Sequence, residues 1–222
     1  MPDHNQHGEG FFLSNAAFFW DLDGTLFDSY PVITASMCRT LDDYGIPYDR
    51  AEVRRFVIRR SVKERCGDIA AQRGLDVESV YAHYLSISEN SLDGIVAIPH
   101  ALEVLESLAE RGCPHFVYTH RGASALTILE RLGMLPFFTE ILTAEDGFPR
   151  KPDPTAIQYL LEKHSLDPRR TWYVGDRSLD IEAAVRAGVQ SVLYLAPDSP
   201  ASPTGKENLV VRDLLEIPTK IR

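Results

Sequence analysis

Positive charge is scarce in this chain: 23 lysines and arginines stand against 32 aspartates and glutamates, a net charge of −9. A field of that sign repels phosphate backbones and anionic lipid, which argues against nucleic acid and membrane surfaces as partners. Cysteine is almost absent. Cys38, Cys66 and Cys113 lie too far apart for a disulfide framework or a metal finger, and such usage fits a reducing compartment. No apolar run approaches the roughly 18 residues that would suggest a membrane span. The segment MPDHNQHGEG has neither the basic start nor the apolar stretch of a secretory signal, so a cytoplasmic location is expected. His4 and His7 within it are read as part of a solvated leader rather than as a metal tail. Nothing in the sequence indicates an oligomeric state.

What the chain does have is length for one sizeable core and a small second module, 222 residues in all. From about residue 95 onward, helix-like and strand-like segments alternate: ALEVLESLAERG, HFVYT, ASALTILERLG, FFTEILTA, TAIQYLLEKH, TWYVGD, SLDIEAAVRAG and SVLYL. Two of the predicted helices stop at a glycine, Gly112 and Gly133, a common C-terminal signal. Short apolar strands alternating with amphipathic helices predict an α/β fold, a doubly wound parallel sheet of Rossmann-like type with helices on both faces. The opening apolar stretch Ala16–Trp20 would join that sheet. Between it and residue 95 the pattern is helix after helix, and Ser61 and Glu64 have capping-box spacing. We therefore expect residues 1–28 and 96–222 to form the core and residues 29–95 an inserted helical domain. The Pro/Ser-rich segment APDSPASPTGKEN reads as a surface loop with no assigned chemistry.

The stretch AAFFWDLDGTLFDSY runs an apolar strand straight into two acids, Asp21 and Asp23. In open parallel sheets ligands bind at the carboxyl ends of the strands, and four such ends here carry reactive groups. They bear Asp21 and Asp23; Thr119 and His120; Lys151 in the loop RKPDP; and Asp176 and Asp180 in GDRSLD. Alone, each signal is weak: a DxD pair is usually a solvated turn, and GDxxxD can be only a helix cap. Together they gather four carboxylates, a hydroxyl and an ammonium at one rim. Crowded carboxylates repel one another unless a cation sits among them. A hard divalent ion, Mg²⁺ by usual occupancy, resolves the conflict and prefers a phosphate oxygen as a further ligand. The expected substrate is therefore a small phosphorylated metabolite, with Lys151 and Thr119 serving its oxygens.

At this point the chain resembles the haloacid dehalogenase-like hydrolase superfamily. DLDGTLFDS, FVYTH, RKPDP and GDRSLD match its four motifs in order. The helical insertion is similar to the mobile cap of the group that includes phosphoglycolate phosphatases and β-phosphoglucomutases. The resemblance implies that Asp21 is a nucleophile forming an aspartyl-phosphate, and that Asp23 is the general acid and base. Asp23 would then have to be protonated at the first step, which a crowded acidic site favours. It further implies that Mg²⁺ is held by the Asp21 and Asp176 side chains and the Asp23 carbonyl, with Asp180 orienting waters or Lys151 from behind. Thr119 and the His120 N–H would hold phosphoryl oxygens, and Lys151 would balance charge.

Within the superfamily, dehalogenases lack an acid two positions after the nucleophile, so Asp23 argues against carbon chemistry. A β-phosphoglucomutase-like mutase keeps both acids and stays open as an alternative, as does a non-catalytic binding protein on the same fold. In the insertion, RRFVIRRSVKER is a basic cluster in which Arg55 and Arg59 share a helix face. If that face points into the site it would favour a leaving group with its own carboxylate or phosphate; otherwise it is a solvated face. His120 stands where a small polar residue is expected, and could contact substrate.

Overall fold

In the computed structural model, which describes residues 16–221, the apolar stretch ahead of the first acids is strand β1 (Ala17–Trp20). Its four residues are all buried and alternate between two clusters, Phe18 and Trp20 on one face of the sheet, Ala17 and Phe19 on the other. A strand covered on both faces must be apolar throughout, and this one is. A two-residue strand β2 (Phe27–Asp28) leads into helices α1 (Tyr30–Asp43), α2 (Arg50–Arg59), α3 (Val62–Arg73) and α4 (Val77–Glu89). The chain returns through β3 (Val96–Ala97), which pairs antiparallel with β2. The rest alternates as α5 (Ala101–Ala109), β4 (His115–Tyr118), α6 (Ser124–Arg131), β5 (Phe138–Leu142) and α7 (Thr155–Lys163). Then follow β6 (Thr171–Gly175), α8 (Ser178–Ala187), β7 (Gln190–Tyr194), β8 (Leu209–Val211) and α9 (Ile217–Lys220).

The main sheet is parallel, in the order β5-β4-β1-β6-β7-β8. Residues of α5, α6 and α9 cover one face, and residues of α7 and α8 the other. This is the Rossmann-like arrangement predicted from the alternation. Strand β1 is central, with Trp20 level with Val117 of β4 and Val174 of β6. The chain winds outward from β1 through β4 to β5, then crosses back to β6, so the reversal of strand order falls at the ends of β1, β4 and β6. A crevice opens at such a switch point because neighbouring connections leave in opposite directions.

Helices α1 to α4 bury a cluster of their own, including Met37, Leu41, Val53, Val57, Ile69 and Val80. The helix starts follow capping chemistry. Asp49, Ser61 and Asp76 each accept a hydrogen bond from the backbone N–H three residues on, and Ser61 Oγ also donates to Glu64 Oε1 at 3.2 Å. Each such cap contributes about 1 kcal/mol. The β2–β3 stem, β8 and α9 are too short for the periodicity to reveal. No helix among the described residues is long and apolar enough to cross a membrane; His4 and His7 lie outside those residues.

One core contact makes stability pH-dependent. Trp20 Nε1 donates to His115 Nδ1 at 3.0 Å inside the sheet. An indole N–H can only donate, so Nδ1 must be an acceptor and the ring neutral. Burial pushes the His115 pKa down from 6.5 to about 4. The unfolded chain therefore takes up a proton near pH 6.5, whereas the folded chain resists until about pH 4. Stability is full above this window and falls as pH drops through it, by about 3 kcal/mol in total. Urea unfolding between pH 7 and pH 4 should show this slope in the unmodified protein. In His115→Gln, which keeps an acceptor for the indole, the slope should be shallower.

Candidate active site

The ladder of β1 continues one residue past the strand: Asp21 N–H donates to Val174 O at 2.9 Å, which seats Asp21 at the crevice. The chain then folds back tightly, with Gly24 N–H donating to Phe27 O and Phe27 N–H to Leu22 O, both at 2.8 Å. Gly24 has φ +81°, and a Cβ there would collide with the Asp176 carboxylate and the Tyr30 ring. Only glycine meets both conditions. At the end of β6, Gly175 is needed for a parallel reason: a Cβ would strike the Asp180 side chain packed beneath it.

Asp21, Asp176 and Asp180 are all buried, and one carboxylate oxygen from each lies within 4.8 Å of the others. Lys151 reaches into this group from the loop after β5. Its ammonium sits 3.0 Å from Asp21 Oδ1 and 2.7 Å from Asp180 Oδ1, with its side chain 0% exposed. It also donates to Tyr173 Oη at 3.0 Å, and Tyr173 in turn donates to Tyr118 O at 2.8 Å. Buried lysines are rare unless paired; this one has two carboxylates. Asp180 also caps α8, its Oδ2 accepting the Arg177 N–H at 3.0 Å. Helix cap and ion-pair partner are thus the same carboxylate.

The electrostatics call for one more cation. Burial pushes Asp21 above the ordinary carboxylate range, against the pull of Lys151 and with added repulsion from Asp180. Burial pushes Asp176 well above it too, opposed by Arg177 and reinforced by Asp180 and Asp21. Asp21 Oδ2 and Asp176 Oδ1 are buried with no hydrogen-bond partner among the described residues. Two partnerless carboxylate oxygens on adjacent strand ends form the donor set that a hard divalent ion takes. A cation there would return both groups to their ionised form.

Asp23 lies apart from this cluster. Arg121 Nη2 donates to its Oδ1 at 2.6 Å, and Arg121 Nε contacts both oxygens at 3.0 and 3.2 Å. Burial works to raise the Asp23 pKa, but the charge and hydrogen bonds of Arg121 outweigh it, and the net shift is downward. The expectation that neighbouring acids keep Asp23 protonated is therefore corrected: its nearest charge is a guanidinium. Thr119 is buried, and its Oγ1 accepts the Arg121 N–H at 3.2 Å. His120 lines the crevice, but its Nε2 accepts the Lys151 backbone N–H at 2.7 Å. Burial, then Lys151, pushes the His120 pKa far down. It is a neutral brace for the lysine loop.

Arg55 and Arg59 do not line the crevice. On α2 they share the face opposite Val53 and Val57, whose burial in the helical cluster sets the rotation of the helix. Arg55 lies 3.9 Å from Glu52 in solvent, and Arg59 Nη2 donates to Pro200 O at 3.2 Å. Arg54 Nη1 donates to Asp198 O at 3.0 Å. The Pro/Ser-rich segment is thus the seat on which the basic helix docks. The guanidinium groups that do face the crevice are Arg121, Arg150 and Arg177. They share a cavity of about 330 Å³ with Asp23, and Tyr81 and Tyr84 form part of its wall on the helical side. Arg177 also bridges to the insertion, donating from Nη1 to Arg60 O at 3.3 Å. Of the groups around the carboxylates, Tyr30 and Tyr173 carried no functional signal in the sequence beyond standing near a motif, and Arg150 and Arg177 none beyond standing within one.

A model of the family described as haloacid dehalogenase-like hydrolase matches residues 18–194. A phosphoglycolate phosphatase of Rhodospirillum rubrum is 31% identical over 193 residues, covering 80% of this chain and 78% of its own. A pyrophosphatase of Oceanobacillus iheyensis is 26% identical over 212 residues, covering 93% of this chain and 97% of its own. The crystal structure of a hydrolase from Streptococcus pneumoniae, 30% identical, superposes with a TM-score of 0.60 over 83% of this chain and 95% of that one.

Proposed function

The chain belongs to the haloacid dehalogenase-like hydrolase family and is a phosphatase, a phosphoric monoester hydrolase; we propose that it is Mg²⁺-dependent and works through a phosphorylated Asp21. The observation that carries this reading is the pair of buried, partnerless oxygens on Asp21 and Asp176. In it, Asp21 and Asp176, with the Asp23 carbonyl, hold Mg²⁺, and the ion's chemistry is to neutralise charge on the transferring phosphoryl group.

The Asp21 carboxylate attacks phosphorus in line, the bond from phosphorus to the leaving oxygen breaks, and Asp23 delivers a proton to that oxygen. Water then attacks the aspartyl-phosphate, Asp23 takes its proton, and inorganic phosphate leaves with Asp21 restored. Lys151 fixes the orientation of Asp21 throughout. Asp23 enters the cycle as a carboxylate held by Arg121. Proton donation thus requires the guanidinium to shift to anionic oxygens of the substrate first, after which the released Asp23 carboxylate takes up a proton from solvent and passes it to the leaving oxygen. Thr119 and the His120 N–H are placed at the phosphoryl oxygens by the resemblance of the second motif.

Residues 29–95 act as the cap in this reading, and Arg150 and Arg177 on the wall of its cavity suit a leaving group with a second anionic group. Two of the relatives are named for such substrates, phosphoglycolate and pyrophosphate. The buried cysteines, none of them in a disulfide among the described residues, suit a reducing, cytoplasmic setting.

The test is a panel of phosphorylated metabolites assayed with and without a chelator. Turnover should vanish on chelation and return with added Mg²⁺, and kcat/KM should be greatest for substrates with a second anion. Turnover indifferent to chelation would overturn the metal-dependent mechanism.

A further inference from the structure

Tyr30 is the first residue of α1, where the chain leaves the sheet for the helical insertion, and its ring belongs to the insertion's apolar cluster. Its hydroxyl points the other way and donates a 2.8 Å hydrogen bond to Asp176 Oδ2, 146 residues along the chain. Both side chains are buried. The second oxygen of the same carboxylate, Asp176 Oδ1, is the one left without a partner. A carboxylate pinned by one oxygen presents the other in a fixed direction. Both groups pack closely against Gly24, where any side chain would run into the Tyr30 ring and the Asp176 carboxylate.

We propose that Tyr30 is a positioning residue for the divalent ion, holding Asp176 in its ligating orientation and tying that ligand to the helical insertion. This rests on the Mg²⁺ reading above. It assigns a tyrosine outside the four motifs to the metal centre, and it makes the first turn of the insertion part of that centre. A hydrogen bond to a ligating carboxylate commonly sets metal affinity by 10- to 100-fold.

Calorimetric titration of metal-free protein with Mg²⁺, in the absence of any substrate, tests the assignment. Tyr30→Phe keeps the ring and removes only the hydroxyl, so its Kd for Mg²⁺ should rise by about 10- to 100-fold. The Mg²⁺ concentration giving half-maximal turnover should rise by the same factor. Tyr30→Leu, folded by circular dichroism, should reproduce the loss of affinity, which separates the hydroxyl from ring packing. If both variants bind Mg²⁺ within twofold of the unmodified protein, Tyr30 has no such role. If the unmodified protein itself binds no Mg²⁺, the metal reading falls and the assignment with it, an outcome distinct from the first.

Discussion

Asp21→Asn is expected to lower kcat on the order of 10⁴-fold or more, the scale seen when the nucleophile of a covalent mechanism is removed. Asparagine keeps the shape of aspartate and an acceptor for Lys151, which lies 3.0 Å from Asp21 Oδ1. What it loses is the negative charge that attacks phosphorus. The same change relieves repulsion among three buried carboxylates, so the metal-free variant should fold normally and melt no lower than the parent. The measurement is steady-state turnover on the best substrate of the panel, together with thermal unfolding in chelator. A second readout is phosphoprotein trapped by acid quench during turnover, present in the parent and absent in the variant. Retention of more than a tenth of parental kcat would remove Asp21 from the role of nucleophile.

The second large effect falls on stability. Lys151 is the ammonium between Asp21 and Asp180, buried with both of them. Replacing it with Met fills the volume and leaves two carboxylates without their counter-charge. Breaking a buried ion pair from one side costs about 3–5 kcal/mol. At roughly 2–4 °C per kcal/mol for a chain of this size, Tm should fall by about 6–20 °C. The loss should be largest in chelator and smaller with millimolar Mg²⁺, because an ion bound only by the folded state stabilises it by mass action. Scanning calorimetry of Lys151→Met under both conditions measures this. A Tm within about 2 °C of the parent in chelator, less than the effect of one kcal/mol, would mean that the lysine is not what neutralises the cluster.

The two expectations that needed correction share a cause. For α2, periodicity correctly pairs Arg55 with Arg59 on one face, but a helix's own pattern says nothing about what stands opposite it. Burial of Val53 and Val57 in the insertion's shared apolar cluster decides that, and it turns Arg59 toward the carbonyl of Pro200. For Asp23, sequence spacing places four acids at one rim but not the distances among them. Arg121, two residues past Thr119, comes within 2.6 Å of Asp23 only because β4 lies beside β1 in the sheet. The phenols of Tyr30 and Tyr173 escaped notice for the same reason: aromatic residues in buried elements look alike in sequence whether or not a hydroxyl finds a carboxylate or an ammonium.

From the sequence by itself came the parallel sheet with its inserted helices, and the gathering of Asp21, Asp176, Asp180 and Lys151 at one edge. Both follow from local rules: strands buried on two faces are apolar end to end, and the residues just beyond them must emerge on the same side of a parallel sheet. Tertiary structure alone decided which charges touch, which oxygens stay without partners, and which way the insertion faces. Those are matters of a few ångströms between segments more than a hundred residues apart, as with Tyr30 and Asp176, and they are set by how whole elements pack rather than by any segment's own pattern.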